Sequence, residues 1–172
     1  MDMETAKQKT REALEEQGFL LTDQEADTIE VADFGLGRLE QSGLQLFTYV
    51  NSPRYCAKEL VLFPNQTCPE HKHPPRPDGT PGKEETFRCR FGCVHLFVEG
   101  EATDDPSVHP PAEDASYYTA ANEIVLLPGE QYTIPPNTRH WFQAGPQGAI
   151  ISEFSSYSDD ASDIFTDPRI TR

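Results

Sequence analysis

Basic residues are scarce in this chain: 14 Lys and Arg stand against 29 Asp and Glu, a formal net charge of -15. A surface of that sign repels phosphate backbones and anionic headgroups, so neither nucleic acid nor membrane is an expected partner. Long apolar runs are missing as well. None approaches the roughly 20 residues of a spanning helix, and no secretory leader opens the chain, so a cytoplasmic address is expected. Cysteine is limited to Cys56, Cys68, Cys89 and Cys93, and the last two lack the C-x-x-C spacing of redox or zinc sites. Free, partly buried structural thiols are the expectation in a reducing compartment. The 172 residues suffice for one compact domain, and the 36% hydrophobic content supplies a core that a disordered acidic tail would not have.

Helical patterning is confined to the beginning. Residues 4–17 are rich in helix formers and end at Gly18, with Leu14 as the one large apolar residue, which predicts a helix on the surface of the domain. Thr22 and Glu25 have capping-box spacing for one further turn. Beyond Ile29 the texture changes to short segments of β-formers: 44–50, 56–63, 86–91, 93–98, 124–127 and 149–154. Fifteen prolines and eleven glycines punctuate the chain. No comparable helical pattern alternates with the strands, so a sandwich or barrel of antiparallel strands is predicted. Residues 74–83 (PPRPDGTPGK) form a loop with four prolines, and acidic residues 102–115 form a second surface excursion. The polar tail from Ser155 is expected to lie across the domain, anchored by Ile164 and Phe165.

Five histidines carry the chemical signal. His71 and His73 form an H-x-H pair, and residues two apart on an extended strand point to one side. Glu84 and Glu85 follow across the proline-rich loop, and His140 comes after the Pro135-Pro136-Asn137 turn. Three imidazoles and a carboxylate form a borderline donor set suited to Mn²⁺, Fe²⁺, Co²⁺, Ni²⁺ or Zn²⁺. His95 lies in a strand and either lines the barrel or packs in the core, whereas His109 is expected to be solvated.

These spacings resemble the two motifs of the cupin family, G-x5-H-x-H-x(3,4)-E-x6-G and G-x5-P-x-G-x2-H-x3-N. Here the first runs Asn65, His71, His73, Glu85, Gly92, and the second runs Gly129, Pro135, Asn137, His140, Ala144. Asn65 and Asn137 replace turn glycines, and Asn tolerates positive φ better than most residues. Eleven residues separate His73 from Glu85, an insertion that the proline-rich loop explains. The six residues between Glu85 and Gly92 select Glu85 over Glu84. The resemblance implies a single-domain cupin jelly-roll β-barrel over residues 31–172, with residues 1–30 a helical extension packed on it. It also implies metal ligands His71, His73, Glu85 and His140.

The stretches YCAKELVLFPNQTCPEHKHPP, GKEETFRCRFGCVHLFVEG and EIVLLPGEQYTIPPNTRHWFQAG are similar to the D-lyxose isomerase group of cupin sugar isomerases. That similarity implies a manganese-dependent enzyme interconverting D-lyxose with D-xylulose and D-mannose with D-fructose, assembled as a homodimer. Such chemistry needs a divalent cation to polarise the carbonyl, plus a base and an acid. Lys58 sits in an apolar strand, either snorkelling at an edge or pointing inward to a sugar; the family pattern favours the latter. Glu153, flanked by Ile150, Ile151 and Phe154, is the candidate base, with a solvated strand end as the alternative. If Glu85 points inward, so should residues 87, 89 and 91, which places Arg88 and Arg90 outside. A neutral monosaccharide is therefore expected rather than a phosphorylated one. The same ligands would also serve an Fe²⁺ cupin dioxygenase or a non-catalytic sugar-binding cupin.

Overall fold

The computed structural model describes residues 1–171. Helix α1 (Met3–Glu16) is capped by the Asp2 side chain accepting from Thr5 N, and α2 (Asp23–Asp27) carries the Thr22/Glu25 capping box. Nine strands follow: β1 (Glu30–Ala32), β2 (Leu44–Asn51), β3 (Cys56–Leu62), β4 (Thr67–Lys72), β5 (Glu85–Val98), β6 (Asn122–Leu126), β7 (Gln131–Ile134), β8 (His140–Ser155) and β9 (Ile164–Phe165). Their named pairings are all antiparallel. Along one path the order is β1-β2-β3-β8-β4-β9, with β5 pairing β6, β7 and β8. The sheet curls on itself into the jelly-roll barrel expected from the cupin motifs. None of the described helices is long and apolar enough to cross a membrane.

Two predicted breaks are absent. Segments 86–91 and 93–98 belong to one strand, β5, and the segment 149–154 is continuous with His140 in β8. Both strands bend instead of ending. Between Cys89 and Phe91 the register slips against β8, and a second shift follows between Gly92 and Val94. A bulge of this kind adds one residue and exchanges inward for outward beyond it. Gly92 sits at φ +73° inside the bend, where an added Cβ would meet the Gly148 carbonyl oxygen at 2.0 Å. Glu85, Phe87 and Cys89 therefore face inward as expected, but Phe91 does not: it packs outside against the Leu14 cluster. His95 is corrected for the same reason. Val94, Leu96 and Val98 take the inward positions, and His95 lies on the outer face.

Apolar side chains form three clusters. The barrel interior is filled by residues such as Leu44, Leu60, Leu62, Leu96, Phe142 and Ile151. On the outside, Phe47, Val61 and Ile150 are covered by Leu14 of α1, which is fully buried, so this helix is more deeply seated than one apolar residue predicted. Phe97 stacks flat on Trp141 at 4.0 Å, packed against Val108 of the acidic excursion and against Tyr118 and Ala120, which follow it. The C-terminal segment does lie across the barrel: β9 pairs with β4, and Thr166 Oγ1 donates to the buried Glu70.

One carboxylate sits uneasily under this packing. Glu59, 4% exposed, accepts from Ser152 Oγ on both oxygens at 2.9 Å. Burial pushes its carboxyl up to about 7 from an ordinary 4.5, against the opposing effect of the Ser152 hydrogen bond. Between those two values the folded chain holds a proton the unfolded chain has lost, so this group's contribution to stability falls as pH rises through the window. Glu59→Gln is expected to remove that slope and raise stability by about 1 kcal/mol at pH 8, with little change at pH 4. Chemical denaturation of both proteins at the two pH values measures it, and equal stability changes at both would count against the assignment.

Candidate metal centre and active site

Two asparagine turns deliver the histidines. Asn65 (φ 59°) precedes β4 with His71 and His73, and Asn137 (φ 57°) precedes β8 with His140, so both stand in the left-handed region the motif requires. Asn137 N donates to the His73 carbonyl at 3.0 Å, tying the second turn to the first pair of imidazoles. His71 and His140 then face each other directly across the β4–β8 ladder. Potential ligand atoms of His71, His73 and His140 lie within 4.8 Å of one another, and all three residues are buried.

The ring nitrogens are sorted by their partners. His71 Nδ1 bonds the Pro69 carbonyl at 2.8 Å, His140 Nδ1 the Thr138 carbonyl at 2.9 Å, and His73 Nδ1 the Asp163 carboxylate at 2.5 Å. With each Nδ1 bonded outward, the three Nε2 atoms face the interior, the orientation that metal ligation uses, while the Glu85 and Asp163 carboxylates push His73 up to about 9 against its burial. Burial, together with His140 and His73, holds His71 well below its usual range and so neutral. Glu85 Oε1 lies 3.1 Å from His73 Nε2 and 2.9 Å from His140 Nε2. Glu85 Oε1 thus lies against two of the three clustered imidazoles, and imidazole nitrogens with a carboxylate suit a divalent cation of the Mn²⁺ to Zn²⁺ series. Glu84, its neighbour, is exposed and takes no part.

Glu85 also leads away from the imidazoles. Its Oε2 is 2.6 Å from Lys83 Nζ, which is 2.6 Å from Glu153 Oε1. Lys83 is 6% exposed, and the two carboxylates outweigh its burial to keep it protonated, with its pKa raised. Glu153 is buried rather than solvated, and directly opposite it on β3 stands Lys58. Lys58 points inward: its Nζ is 3.1 Å from Ser158 Oγ and 3.4 Å from Asp160. Arg88 is half-buried and Arg90 exposed, with Arg90 over the Phe19 ring on the outer side.

Sequence reasoning missed Lys83 and Asp163. Lys83 closes the proline-rich loop and had been read as part of it, although its place two residues before Glu85 carries the period of an inward-facing strand position. Asp163 belongs to the polar tail, and nothing local marks it; only the fold brings the tail over His73. His109 is exposed, as its loop suggested.

An antiparallel barrel with three buried histidines that could hold a divalent metal, beside a buried acid–lysine–acid chain, places the chain among the cupins. Comparison narrows that class. The model of the D-lyxose isomerase family matches residues 23–172, and the chain belongs to that family. It is 66% identical over 165 residues to a D-lyxose/D-mannose isomerase of Thermosediminibacter oceani, covering 96% of this chain and 91% of the relative. A D-lyxose ketol-isomerase of Cohnella laeviribosi is 59% identical over 97% of this chain and 91% of its own length. Among solved structures, the L-ribose isomerase of Cellulomonas parahominis superposes with a TM-score of 0.79 at 14% identity, covering 97% of this chain and 92% of that one. The shared fold survives sequence divergence that leaves little else in common.

The Asp163 contact has a measurable consequence. A carboxylate holding the second nitrogen of a ligating histidine fixes its ring and strengthens its lone pair. Asp163→Ala is expected to weaken Mn²⁺ binding about 10- to 100-fold, and Asp163→Asn, which retains an acceptor, by less. Titration of Mn²⁺ followed by the resonance signal of the free ion reads this directly; unaltered affinity in both variants would show that His73 needs no such support.

Proposed function

We propose that the chain is a manganese-dependent aldose–ketose isomerase interconverting D-lyxose with D-xylulose and D-mannose with D-fructose. The observation that carries this reading is the Glu85–Lys83–Glu153 chain, which sets a buried base beside three inward Nε2 atoms. His71, His73, Glu85 and His140 are the ligands in this reading, with Mn²⁺ the ion and Co²⁺, Fe²⁺, Ni²⁺ or Zn²⁺ as substitutes. Residues 31–172 form the cupin domain and residues 1–30 its helical extension. A homodimer in the cytoplasm completes the proposal, in keeping with the named activities of the 58% to 66% identical relatives.

The cation supplies Lewis acidity, lowering the cost of negative charge on the substrate oxygens. Glu153 takes the C2 proton of the aldose and returns it to C1, giving the ketose through an enediol. Its strand, β8, is central in the sheet and holds the carboxylate in place. Lys83 steadies that carboxylate between proton transfers by remaining an ammonium. Lys58, facing the same space, donates to the sugar oxygens and moves the second proton from the C2 hydroxyl to the C1 carbonyl oxygen. Ser158 and Asp160 hold its ammonium in position.

Charge argues for a neutral sugar. The pocket is lined by Lys58 and Lys83, but also by Glu85, Glu153, Asp160 and Asp163. Both lysines are paired with these acids. Among the described residues that line the pocket no surplus positive charge remains to hold a phosphate, so phosphorylated sugars are poor substrates in this reading.

Glu153→Gln is expected to lower kcat on D-lyxose by about 10²- to 10⁴-fold while Mn²⁺ affinity stays within about threefold. Ketose formation from lyxose and mannose, measured with and without chelator, tests the activity. Oxygen consumption with Fe²⁺ and no ketose would replace it with a dioxygenase. Sugar binding without exchange of the C2 proton into heavy water would leave only a binding protein.

A further inference from the structure

The bulge in β5 sends two donor atoms to the outer face of the sheet, on the opposite side from the pocket. Cys93 Sγ and His95 Nε2 lie 3.6 Å apart. His95 Nδ1 bonds Glu123 Oε1 at 2.9 Å, and the other Glu123 oxygen accepts from Ser107 N at 2.8 Å. With a doubly anchored carboxylate on Nδ1, the Nε2 lone pair is presented to the sulfur. This is the arrangement of a carboxylate-oriented metal histidine. The separation agrees with that reading, since tetrahedral bonds of about 2.3 Å to sulfur and about 2.05 Å to nitrogen place the two donors about 3.5 Å apart.

Two further residues border the position. Gln143 stands directly opposite His95 on β8, and its buried Oε1 accepts no hydrogen bond, while its Nε2 donates to the Asn65 carbonyl at 3.2 Å. Gly145 packs close against the pair: a Cβ there would lie 3.2 Å from Cys93 Cβ and 3.9 Å from His95 Nε2, so glycine lets the strand approach the two donors. Cys93 is the half-buried cysteine of the four, whereas Cys56, Cys68 and Cys89 are buried.

We propose that Cys93 and His95 form a second cation site, selective for thiophilic divalent ions of the Zn²⁺ and Cd²⁺ class, with Glu123 fixing the imidazole and Gln143 Oε1 available as an oxygen donor. It is independent of the sugar-isomerase reading. Binding breaks the S–H bond, forms a sulfur–metal bond and releases the proton to solvent; no electron changes hands. Burial, followed by the Glu123 and Glu130 charges, pushes the Cys93 thiol up, so the resting site is protonated near neutral pH. Affinity therefore rises with pH, by about tenfold per unit below the thiol pKa. Mn²⁺, the hardest of the ions that suit the three-histidine centre, gains little from sulfur, whereas Cd²⁺ gains much, so the two sites separate this pair by softness.

The test is a Cd²⁺ titration of the Mn²⁺-loaded protein, followed by the ultraviolet sulfur-to-cadmium charge-transfer band and by proton release to an indicator. The wild-type protein is expected to bind one equivalent with the band and release one proton. Cys93→Ser, checked for native folding by its circular dichroism, loses both. His95→Gln weakens binding at least tenfold and Glu123→Gln by about tenfold, while His71→Ala leaves the band unchanged. A band that survives in Cys93→Ser, or equal affinity in the wild-type and His95→Gln proteins, overturns the site.

Discussion

Everything around the pocket answers to one electrostatic constraint: the Glu85 carboxylate is 2% exposed. An isolated ionised carboxylate cannot remain charged at such depth, because the lost hydration costs several kcal/mol. Lys83, His73 and His140 hold it well below the usual carboxylate range in spite of that burial. Each partner is in turn anchored elsewhere, Lys83 by Glu153 and His73 by Asp163. The result is a connected set of buried charges in which removing a member strands another, so the C-terminal segment and the proline-rich loop are bound into the same electrostatic unit as the strands.

That unit is supported by an otherwise ordinary β architecture. Beneath it Leu60, Leu62, Phe87 and Phe142 close the barrel with apolar contacts and exclude water. Excluding water strengthens every charge interaction above it, which is why an apolar barrel floor and a polar mouth occur together. Glu70, 1% exposed, plays a parallel part on the far side of β4. It accepts from Thr119 N, Thr119 Oγ1, Ala120 N and Thr166 Oγ1, joining the segment before β6 to the tail.

The antiparallel strand pattern and the shared face of His71 and His73 were legible from residues alone, because each depends on short-range rules, whereas the cupin barrel and the place of His140 beside the pair came from the family resemblance. H-x-H reads as one face of a strand whatever the fold, and Asn at the two turn positions tolerates the φ values near 58° that the motifs demand. Lys58 and Glu153 could be named but not aimed, since inward and edge positions look alike within an apolar strand. The depth of Leu14 was hidden for another reason: a helix with one large apolar side chain gives no hint that the sheet offers a matching patch in Phe47, Val61 and Ile150. Asp163 depends on a contact spanning 90 residues of sequence, a kind of information that local pattern does not hold.

The slip between Cys89 and Phe91 has a meaning for how such a chain can vary. Side chains along β5 are assigned to interior or exterior by counting, and the two register shifts between Cys89 and Val94 move the inward set from odd-numbered to even-numbered positions. Replacing one amino acid there changes one contact. Deleting or inserting one would exchange Val94, Leu96 and Val98 for Cys93, His95 and Phe97 on the apolar interior. Length in this stretch is thus under far tighter constraint than composition.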